Sequence, residues 1–391
     1  MQRIARHSLG IALLLSAAAC SSDGGGGDAT PDGSTDTDPD GSADADTDTD
    51  TDADTDADAD ADTDADADLT DYEPDPPWFP CPTAEPPEEA TRVVVFDQEP
   101  QYFNPEDRRT VEATATLPAA GGFERVLLLV RLECPESGLC DHWDRAGSLH
   151  LVESPGTEEE VRTELARFVT PYRVEMCQMI DVTPLAARLA GERTFTSFID
   201  TWVGPGHEQG EGWRTTVELL YLPGEPEETS SVIDVWPMRN ITVGETDTDS
   251  TVDAQIDPVL VEIPATATRV EAHLTTTGHS FGNTGNCAEF CQMRQDLYVN
   301  GERHSVNPWR DDCEHNWVSP QYGTWEYDRN GWCPGAIAVG HALDITEDVV
   351  LGAENEIDFD IRLANGEEYV NLAPVDLLPY ELVSLKLYVY E

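Results

Sequence analysis

Short stretches of alternating apolar and polar residues recur from residue 92 to the end of the chain. Turns rich in Gly, Pro and Asp separate them, and few stretches are long enough for a helix. A period of two residues places every second side chain on one face of a strand, so the pattern predicts an antiparallel β-sandwich. The stretches cover residues 92–96, 110–117, 125–132, 148–152, 194–202 and 215–222, and then 231–236, 257–263, 269–276, 296–299, 355–361 and 382–390.

A break at residues 223–228 divides these stretches into two sets. About 320 residues follow the N-terminal region, and this length suits two domains of ordinary size. The pattern therefore predicts an all-β protein with one jelly-roll-like domain over residues 73–225 and a second over residues 226–391. Only residues 158–166 and 184–189 have a helical pattern, and both segments are short.

The N-terminus has the order of features that is typical of an export signal. A charged start at Arg3 precedes an apolar run over residues 9–19, which is too short to cross a bilayer. The run ends at Cys20 and resembles a bacterial lipoprotein signal, in which that cysteine becomes the lipidated first residue. Ala17 stands where such signals usually have Leu, so plain secretion is the alternative. We expect residues 1–20 to be a lipoprotein-type signal peptide, and the protein to be an outer-membrane or cell-surface lipoprotein or secreted.

Residues 21–72 form a linker in which Asp alternates mainly with Thr, Ala, Gly and Ser. This composition buries too little apolar surface to fold, so we expect a disordered, self-repelling tether. Residues 36–41 resemble the start of a calcium loop, but Thr47 stands where such a loop needs Glu, and a solvated charge run is favoured over weak calcium binding. The chain has a net charge of −56 and stays acidic beyond the tether, which argues against nucleic-acid binding.

Cysteines are even in number once Cys20 is set aside, which predicts disulfides in an exported protein. The alternative for Cys287 and Cys291 is a zinc site, but no second close Cys or His pair accompanies them at zinc-finger spacing. The eight cysteines are Cys81, Cys134, Cys140, Cys177, Cys287, Cys291, Cys313 and Cys333.

Four predicted loops combine acidic, basic and aromatic side chains, and loops carry function on such scaffolds. Aromatic faces stack on sugar rings, while carboxylates bind hydroxyls and move protons, so the combination indicates a saccharide-processing site. For the loop that contains Asp144, the alternative is a disulfide-closed hairpin in which this Asp faces solvent. The loops contain Asp144 with Trp143 and Arg145, Asp200 with Trp202, Glu289 after His279, and Arg329 with Trp332.

Three of these segments resemble signature stretches of the peptide-N-glycosidase F family, in the same order and with similar spacing. They are CDHWDR at residues 140–145, CAEFC at residues 287–291 and DRNGWCPG at residues 328–335, with further similarity at residues 167–172 and 180–183. The resemblance runs from about residue 93 to the C-terminus. It implies two side-by-side, eight-stranded antiparallel jelly rolls with the active site between them. It also implies an amidase that cleaves the bond between an Asn side chain and the first N-acetylglucosamine of an N-linked glycan, leaving Asp and a glycosylamine.

The resemblance implies a role for each candidate residue. Asp144 takes the place of the principal catalytic carboxylate, with Glu289 and Asp200 as its acidic helpers. Arg145 and Arg329 would hold the first two sugars or stabilise oxyanion charge, and His279 belongs to the substrate-binding set. Trp143, Trp202 and Trp332 would line the sugar path. No metal or cofactor is implied.

The sequence departs from the family at three of these positions. Asp200 stands where the family has Glu, which shortens the side chain by one methylene, and Thr277 and Phe290 each replace a Trp. Misplacement by about an ångström can be costly in a positioned site, so glycan preference and efficiency are open.

The resemblance also implies a disulfide pattern. It pairs Cys134 with Cys140, Cys287 with Cys291, and Cys313 with Cys333. This leaves Cys81 and Cys177, which we predict to pair.

Two other function classes are alternatives to an amidase. A non-catalytic glycan-binding surface lipoprotein would keep the aromatic groove, but it would have no need of Asp144 and Glu289. A copper monooxygenase needs closely spaced histidines, and the nine histidines here include no adjacent pair and no His-x-His. The expected partners are therefore N-glycosylated proteins or peptides, with membrane contact only through the lipid anchor, no nucleic acid, and a monomeric state.

Overall fold

The computed structural model describes residue 81 and residues 86–226, 230–245, 251–374 and 378–391. The predicted signal peptide, the tether and the candidate calcium loop lie outside these residues. Within them, the regular structure is almost entirely antiparallel β-strand, as the sequence pattern predicts. No helix in this part of the chain is both long and apolar enough to span a membrane.

Nineteen strands lie within the described residues. They are β1 Thr91–Gln101, β2 Thr110–Leu117, β3 Phe123–Glu133, β4 Ala146–Glu153, β5 Val161–Val169, β6 Met176–Asp181, β7 Gly191–Ile199, β8 Trp213–Pro223, β9 Ser230–Thr242, β10 Val259–Ile263, β11 Arg269–His279, β12 Met293–Val299, β13 Glu302–Val306, β14 Trp309–Arg310, β15 Arg329–Asn330, β16 Ala336–Ile337, β17 His341–Asp344, β18 Ala353–Leu363 and β19 Tyr380–Tyr390. Short helical segments are α1 Val252–Gln255 and the 3-10 turns Thr183–Leu185, Thr284–Asn286 and Cys313–His315.

The strands form two sandwiches and one small ribbon. Strands β1–β8 build the first sandwich from sheets of order β1-β8-β3-β6 and β2-β7-β4-β5, and β16 extends the second of these sheets beside β5. The second sandwich has sheets of order β10-β18-β12-β13 and β9-β19-β11-β17. Each sandwich thus has eight strands of its own, which confirms the predicted fold class. Strands β14 and β15 pair separately, and β15 begins at Arg329.

Each sandwich encloses its own apolar core, because alternate residues of its strands point inward. In β3 the inward residues are Val126, Leu128, Val130 and Leu132. In β19 they are Val383, Leu385, Leu387 and Val389. The opposite face of β19 is also covered, since Tyr388 and Tyr390 pack into the core of the first sandwich. The sandwiches therefore share a packed interface along β19. The division into domains at residue 225 stays a prediction.

The helix predicted at residues 158–166 is wrong, because this segment enters strand β5. The last seven residues of β5 are all buried, so the strand lacks the alternation that would have marked it. Its pairing with β4 shifts between His150, opposite Glu164, and Leu149, opposite Ala166. The extra residue of this bulge brings Glu164 and Arg167 to the same side of the strand, although they are three residues apart.

At residues 184–189 the structure has a shorter element than the predicted helix. A 3-10 turn covers Thr183–Leu185, with Pro184 near its start. Leu185 and Leu189 are buried against the first core, which accounts for the apolar spacing in the sequence.

Candidate active site

The segment that carries Asp144 is fixed by hydrogen bonds to Asp141, which is fully buried. The Asp141 carboxylate accepts hydrogen bonds from the Trp143 backbone N–H at 3.0 Å and the Arg145 Nε at 2.9 Å. The Thr201 hydroxyl donates to it at 2.7 Å. Asp141 therefore ties residues 141–145 to the chain that follows Asp200. Arg145, predicted to bind sugar, uses its Nε for this contact.

Asp144 is largely covered and has two partners from other parts of the chain. The Tyr172 hydroxyl donates to Asp144 Oδ2 at 2.7 Å, and Arg329 Nη2 lies 3.6 Å from the same oxygen. Burial raises the pKa of Asp144, while the charge of Arg329 and the hydrogen bond from Tyr172 oppose that rise. Tyr172 was not predicted as a site residue. It ends the similar stretch 167–172, which is the signal that could have identified it.

Glu289 is the middle residue of the short loop closed by the Cys287–Cys291 disulfide, whose cysteines have a sequence separation of 4. Its Oε2 accepts a hydrogen bond from the Ser280 backbone N–H at 3.2 Å, and its Oε1 lies 3.4 Å from Arg329 Nε. Burial, and then the neighbouring charge of Asp144, raise the pKa of Glu289 to about 8. A carboxyl group of this kind keeps its proton at neutral pH.

Arg329 is fully buried and lies between the two carboxyl groups. Its Nη1 donates to the Tyr327 carbonyl at 2.7 Å, and its Nη2 donates to the Thr324 hydroxyl at 3.1 Å. Because the guanidinium is covered, it acts on Asp144 and Glu289 rather than directly on a ligand. The predicted role of holding sugars does not match this burial.

Aromatic rings enclose the same guanidinium. The Phe290 ring centre lies 5.1 Å from Arg329 Cζ, and the Trp332 ring centre lies at 4.8 Å. Phe290, which stands where the resemblance has a Trp, therefore keeps an aromatic contact with the arginine. Rings at this distance stabilise a desolvated cation.

Trp332 and His279 lie beneath the site and are both buried. The Trp332 indole N–H donates to the Gly278 carbonyl at 2.7 Å. His279 is stacked between Trp332 and Tyr380, with ring centres 5.5 and 5.2 Å away. Burial, and then the charge of Arg167, lower the pKa of His279 to about 3, so the ring is neutral. Trp332 packs against Arg329, and His279 packs against Trp332, so both lie in the protein interior instead of lining a sugar path.

Asp200 follows strand β7 and is partly exposed. Its backbone N–H donates to the Ala146 carbonyl at 2.9 Å, and its Oδ1 lies 3.3 Å from Arg109 Nη1. Burial raises the pKa of Asp200, and the charges of Arg109 and Arg145 oppose the rise. The charges of Asp200 and Glu289 both contribute, after burial, to raising the pKa of Tyr380 to about 12. The negative charges of Asp200 and Glu289 therefore both act on the Tyr380 hydroxyl.

Two indoles near these acids are open to solvent. Trp143 is 49 % exposed and Trp202 is 52 % exposed. Large exposed aromatic side chains beside covered carboxyl groups form the kind of surface that a sugar ring can stack on. The sugar-binding role of Trp143 and Trp202 stays a prediction.

The eight cysteines pair as the sequence predicts: Cys81–Cys177, Cys134–Cys140, Cys287–Cys291 and Cys313–Cys333. The zinc alternative for Cys287 and Cys291 is thereby excluded in this structure. Three of the pairs adjoin the site, since Cys134–Cys140 shortly precedes Asp144, Glu289 lies between Cys287 and Cys291, and Arg329 lies between Cys313 and Cys333. Disulfides restrict loop conformations, so these loops can hold their acids and arginine in fixed positions.

Comparison with known proteins gives a consistent result. A family model described as "Peptide-N-glycosidase F, C terminal" matches residues 248–370. The chain is 26% identical over 294 residues to peptide-N(4)-(N-acetyl-beta-D-glucosaminyl)asparagine amidase F from Elizabethkingia miricola, covering 71% of this chain and 79% of that protein.

Two solved structures with the same fold match the chain. The structure of PNGase F from Flavobacterium meningosepticum, titled a glycosylasparaginase, matches with a TM-score of 0.65 and 20% identity, over 78% of this chain and 96% of that one. PNGF-II matches with a TM-score of 0.60 and 16% identity, over 77% of this chain and 65% of that one. With the family model and the sequence relative, these matches show that the chain resembles peptide-N-glycosidase F in sequence and shares its fold.

Proposed function

We propose that the protein is a peptide-N-glycosidase that releases intact N-linked glycans from glycoproteins or glycopeptides. It would hydrolyse the amide between the Asn side chain and the first N-acetylglucosamine, giving Asp and a glycosylamine. The observation that carries this proposal is Arg329, buried between Asp144 and Glu289 at 3.6 and 3.4 Å. Two carboxyl groups that share one cation can serve as a base and an acid in one site, and the charge of Asp144 favours the protonated form of Glu289.

Asp144 is suited to the role of general base. The Tyr172 hydroxyl and Arg329 both stabilise its ionised form against burial. An ionised carboxylate in hydrogen-bond reach of a water can take one proton as the water oxygen attacks the amide carbon. The amide carbonyl then becomes a tetrahedral oxyanion, and the proton resides on Asp144.

Glu289 is suited to the opposite role. With a pKa of about 8 it holds a proton at neutral pH. It can donate a hydrogen bond to the developing oxyanion, or donate its proton to the departing glycosylamine nitrogen. Proton transfer to that nitrogen breaks the carbon–nitrogen bond and leaves the carboxyl group of the new Asp. The activity should accordingly fall as the pH rises above about 8.

Asp200, Trp143 and Trp202 would bind the glycan. The two exposed indoles supply faces for the sugar rings, and the partly exposed Asp200 carboxylate can accept hydrogen bonds from hydroxyl or acetamido groups. Arg145, whose side chain is one-fifth exposed, stands beside Asp144 at the edge of the same surface.

Export of the protein fits this activity. Four disulfides are typical of an oxidising compartment, where N-glycosylated substrates would be met. We propose that the enzyme acts as a monomer, either secreted or anchored through Cys20.

The test is to incubate the purified full chain with an Asn-linked glycopeptide in water enriched in oxygen-18 and to weigh the products. Release of the whole glycan, with one oxygen-18 in the Asp of the bare peptide, would support the amidase. The Asp144→Asn variant should lose this activity. The control variant Asp344→Asn, which changes the last residue of strand β17, should keep it.

Other outcomes would contradict the proposal. Cleavage between the two core sugars would leave one N-acetylglucosamine on the peptide and would mean another reaction type. Glycan binding without cleavage by the wild-type chain would favour the non-catalytic glycan-binding alternative.

A further inference from the structure

Arg109, which immediately precedes strand β2, is tied by its backbone to the chain that leads into Asp200. Its carbonyl oxygen accepts a hydrogen bond from the Ile199 N–H at 3.0 Å and another from Gln101 Nε2 at 2.7 Å. Ile199 is the last residue of β7 and directly precedes Asp200. The base of the Arg109 side chain is therefore fixed relative to Asp200.

The guanidinium of Arg109 is held by one acid and directed at another. Its Nε and Nη2 donate to the two carboxylate oxygens of Asp107 at 2.9 and 2.7 Å. A bidentate pair of this kind fixes the plane of the guanidinium. The remaining nitrogen, Nη1, then lies 3.3 Å from Asp200 Oδ1.

The same guanidinium covers two aromatic rings. Its Cζ lies 4.5 Å from the ring centre of Trp202 and 4.8 Å from that of Phe103. The two rings are themselves 5.1 Å apart and tilted by 59°. A cation over an indole is attracted by the ring's electron density, so Arg109 restricts the orientation of the exposed Trp202.

The charges around Asp200 make Arg109 its main cationic partner. Burial raises the pKa of Asp200, and Arg109 opposes this more than Arg145 or the hydrogen bond from Trp202 does. On another side lies Tyr380, which carries no charge at neutral pH. Asp107 stays ionised, since its hydrogen bond to Arg109 lowers its pKa. Asp107 thus holds the positively charged guanidinium of Arg109 in a fixed position beside Asp200.

We propose that Arg109, oriented by Asp107, is a positioning residue that holds the Asp200 carboxylate and the Trp202 indole in one fixed arrangement toward the glycan. This inference rests on the proposed function. Arg109 is mostly buried and acts through these two side chains, not by contact with the reacting amide. It would also fix the short Asp200 side chain, which has few rotatable bonds, in a single position.

The experiment compares two neighbouring arginines in the full chain. Arg108 pairs with Glu99 and lies over Tyr102, so Arg108→Met is a matched control. In Arg109→Met we expect kcat/KM on an Asn-linked glycopeptide to fall by roughly 10- to 100-fold, with both kcat and KM affected. Arg109→Lys keeps the positive charge but not the planar guanidinium that binds Asp107 through two nitrogens, so it should recover only part of the loss. Arg108→Met should stay within about two-fold of wild type.

The pH profile separates positioning from mere folding. Without Arg109, Asp200 loses its main cation, so its pKa rises and the acidic limb of kcat/KM should move to higher pH. Equal activity in the two Met variants would overturn the inference. So would a loss in Arg109→Met that is accompanied by lower thermal stability and an unmoved acidic limb.

A measurement without turnover keeps the two proposals distinguishable. The Asp200 carboxyl carbon can be followed by NMR titration and assigned by its loss in Asp200→Asn. Its pKa should be higher in Arg109→Met and unchanged in Arg108→Met. An inactive wild-type chain would refute the proposed function, while an Asp200 pKa that is the same in all three proteins would refute the role of Arg109.

Discussion

Two buried arginines, Arg167 and Arg329, each lie against carboxyl groups, but they differ in the number and length of their hydrogen bonds. Arg167 binds Glu164 through two short bonds of 2.8 and 2.9 Å. Arg329 lies 3.4 and 3.6 Å from its two acids, and among the described residues its Nε finds no hydrogen-bond partner of good geometry.

The hydrogen bonds of Arg167 extend across the interface of the two sandwiches. Its Nη1 donates to the carbonyl oxygens of Leu382 and Thr275, and its Nη2 donates to the Ser384 hydroxyl. Ser384 in turn donates to Glu164, and Lys386 donates to the Glu164 carbonyl at 2.6 Å. This saturated cluster joins β5 to β19, and its bonds to Leu382, Ser384 and Lys386 stabilise the packing of one sandwich on the other.

The two clusters consequently shift proton affinity in opposite directions. Although burial opposes it, the charge and hydrogen bonds of Arg167 lower the pKa of Glu164 to about 2. At Arg329 burial prevails, and the pKa values of both Asp144 and Glu289 are raised. A saturated ion pair is structural, whereas a cation with loosely bound acids leaves them able to exchange protons. The difference lies in the number and length of the hydrogen bonds and not in residue type.

The largest expected effect is on catalysis. Asp144→Asn removes the proposed base, so kcat should fall by roughly 100- to 10,000-fold. Because the change also removes a poorly stabilised buried charge, the free energy of unfolding should stay the same or increase. Activity assays and denaturant unfolding check the two parts. Loss of stability comparable to the loss of activity would place Asp144 with the structural cluster.

The next effect is on stability. Glu164→Gln leaves Arg167 buried without its anionic partner, so the free energy of unfolding should fall by about 3–5 kcal/mol. The kcat of the folded protein should remain within a few-fold of wild type, since the proposed base and acid are unchanged. Urea unfolding and a glycopeptide assay on the same sample provide the measurement. A selective loss of kcat with normal stability would contradict the contrast between the clusters.

A smaller effect is expected at Tyr172. Tyr172→Phe removes the hydroxyl that donates to Asp144 Oδ2 at 2.7 Å, so the pKa of Asp144 should rise. The acidic limb of kcat/KM should move to higher pH, and the value at neutral pH should fall by about ten-fold. Tyr322→Phe, at an exposed ring, is the control. An unmoved limb would show that the hydroxyl does not tune the base.

The last effect is the pH dependence of stability, which has opposite signs at the two clusters. Glu164 has a lowered pKa, so its contribution is present above the unfolded value of about 4.3 and is lost as the pH falls toward 2. Glu289 has a raised pKa, so its contribution is full below about 4.3 and is lost as the pH rises to about 8. Chemical unfolding between pH 3 and about 9 should show that each Glu→Gln variant flattens a different side of the curve. Persistence of the alkaline slope in Glu289→Gln would assign it to another group.

Much of the site could be predicted because its residues lie in distinctive short motifs. Asp144, Glu289 and Arg329 each adjoin a cysteine that forms a disulfide, and these loops were found from the sequence. Arg109 and Asp107 were not, because an arginine before a strand has no local mark of function. Trp332 and His279 were expected on the sugar path, yet nothing in a motif tells whether an aromatic ring lies above or beneath a buried arginine.

The sequence by itself determined where most strands lie along the chain, and its resemblance to a known family implied the disulfide partners and the set of acids, since alternation and motif similarity are local properties. Only the tertiary structure decided that strand β5 is buried on both faces, which erased the alternation that marks a strand. It also decided which buried arginine is saturated and which is not. Proton affinity depends on burial and on partners that come from distant segments, and these distances exist only once the two sandwiches have packed together.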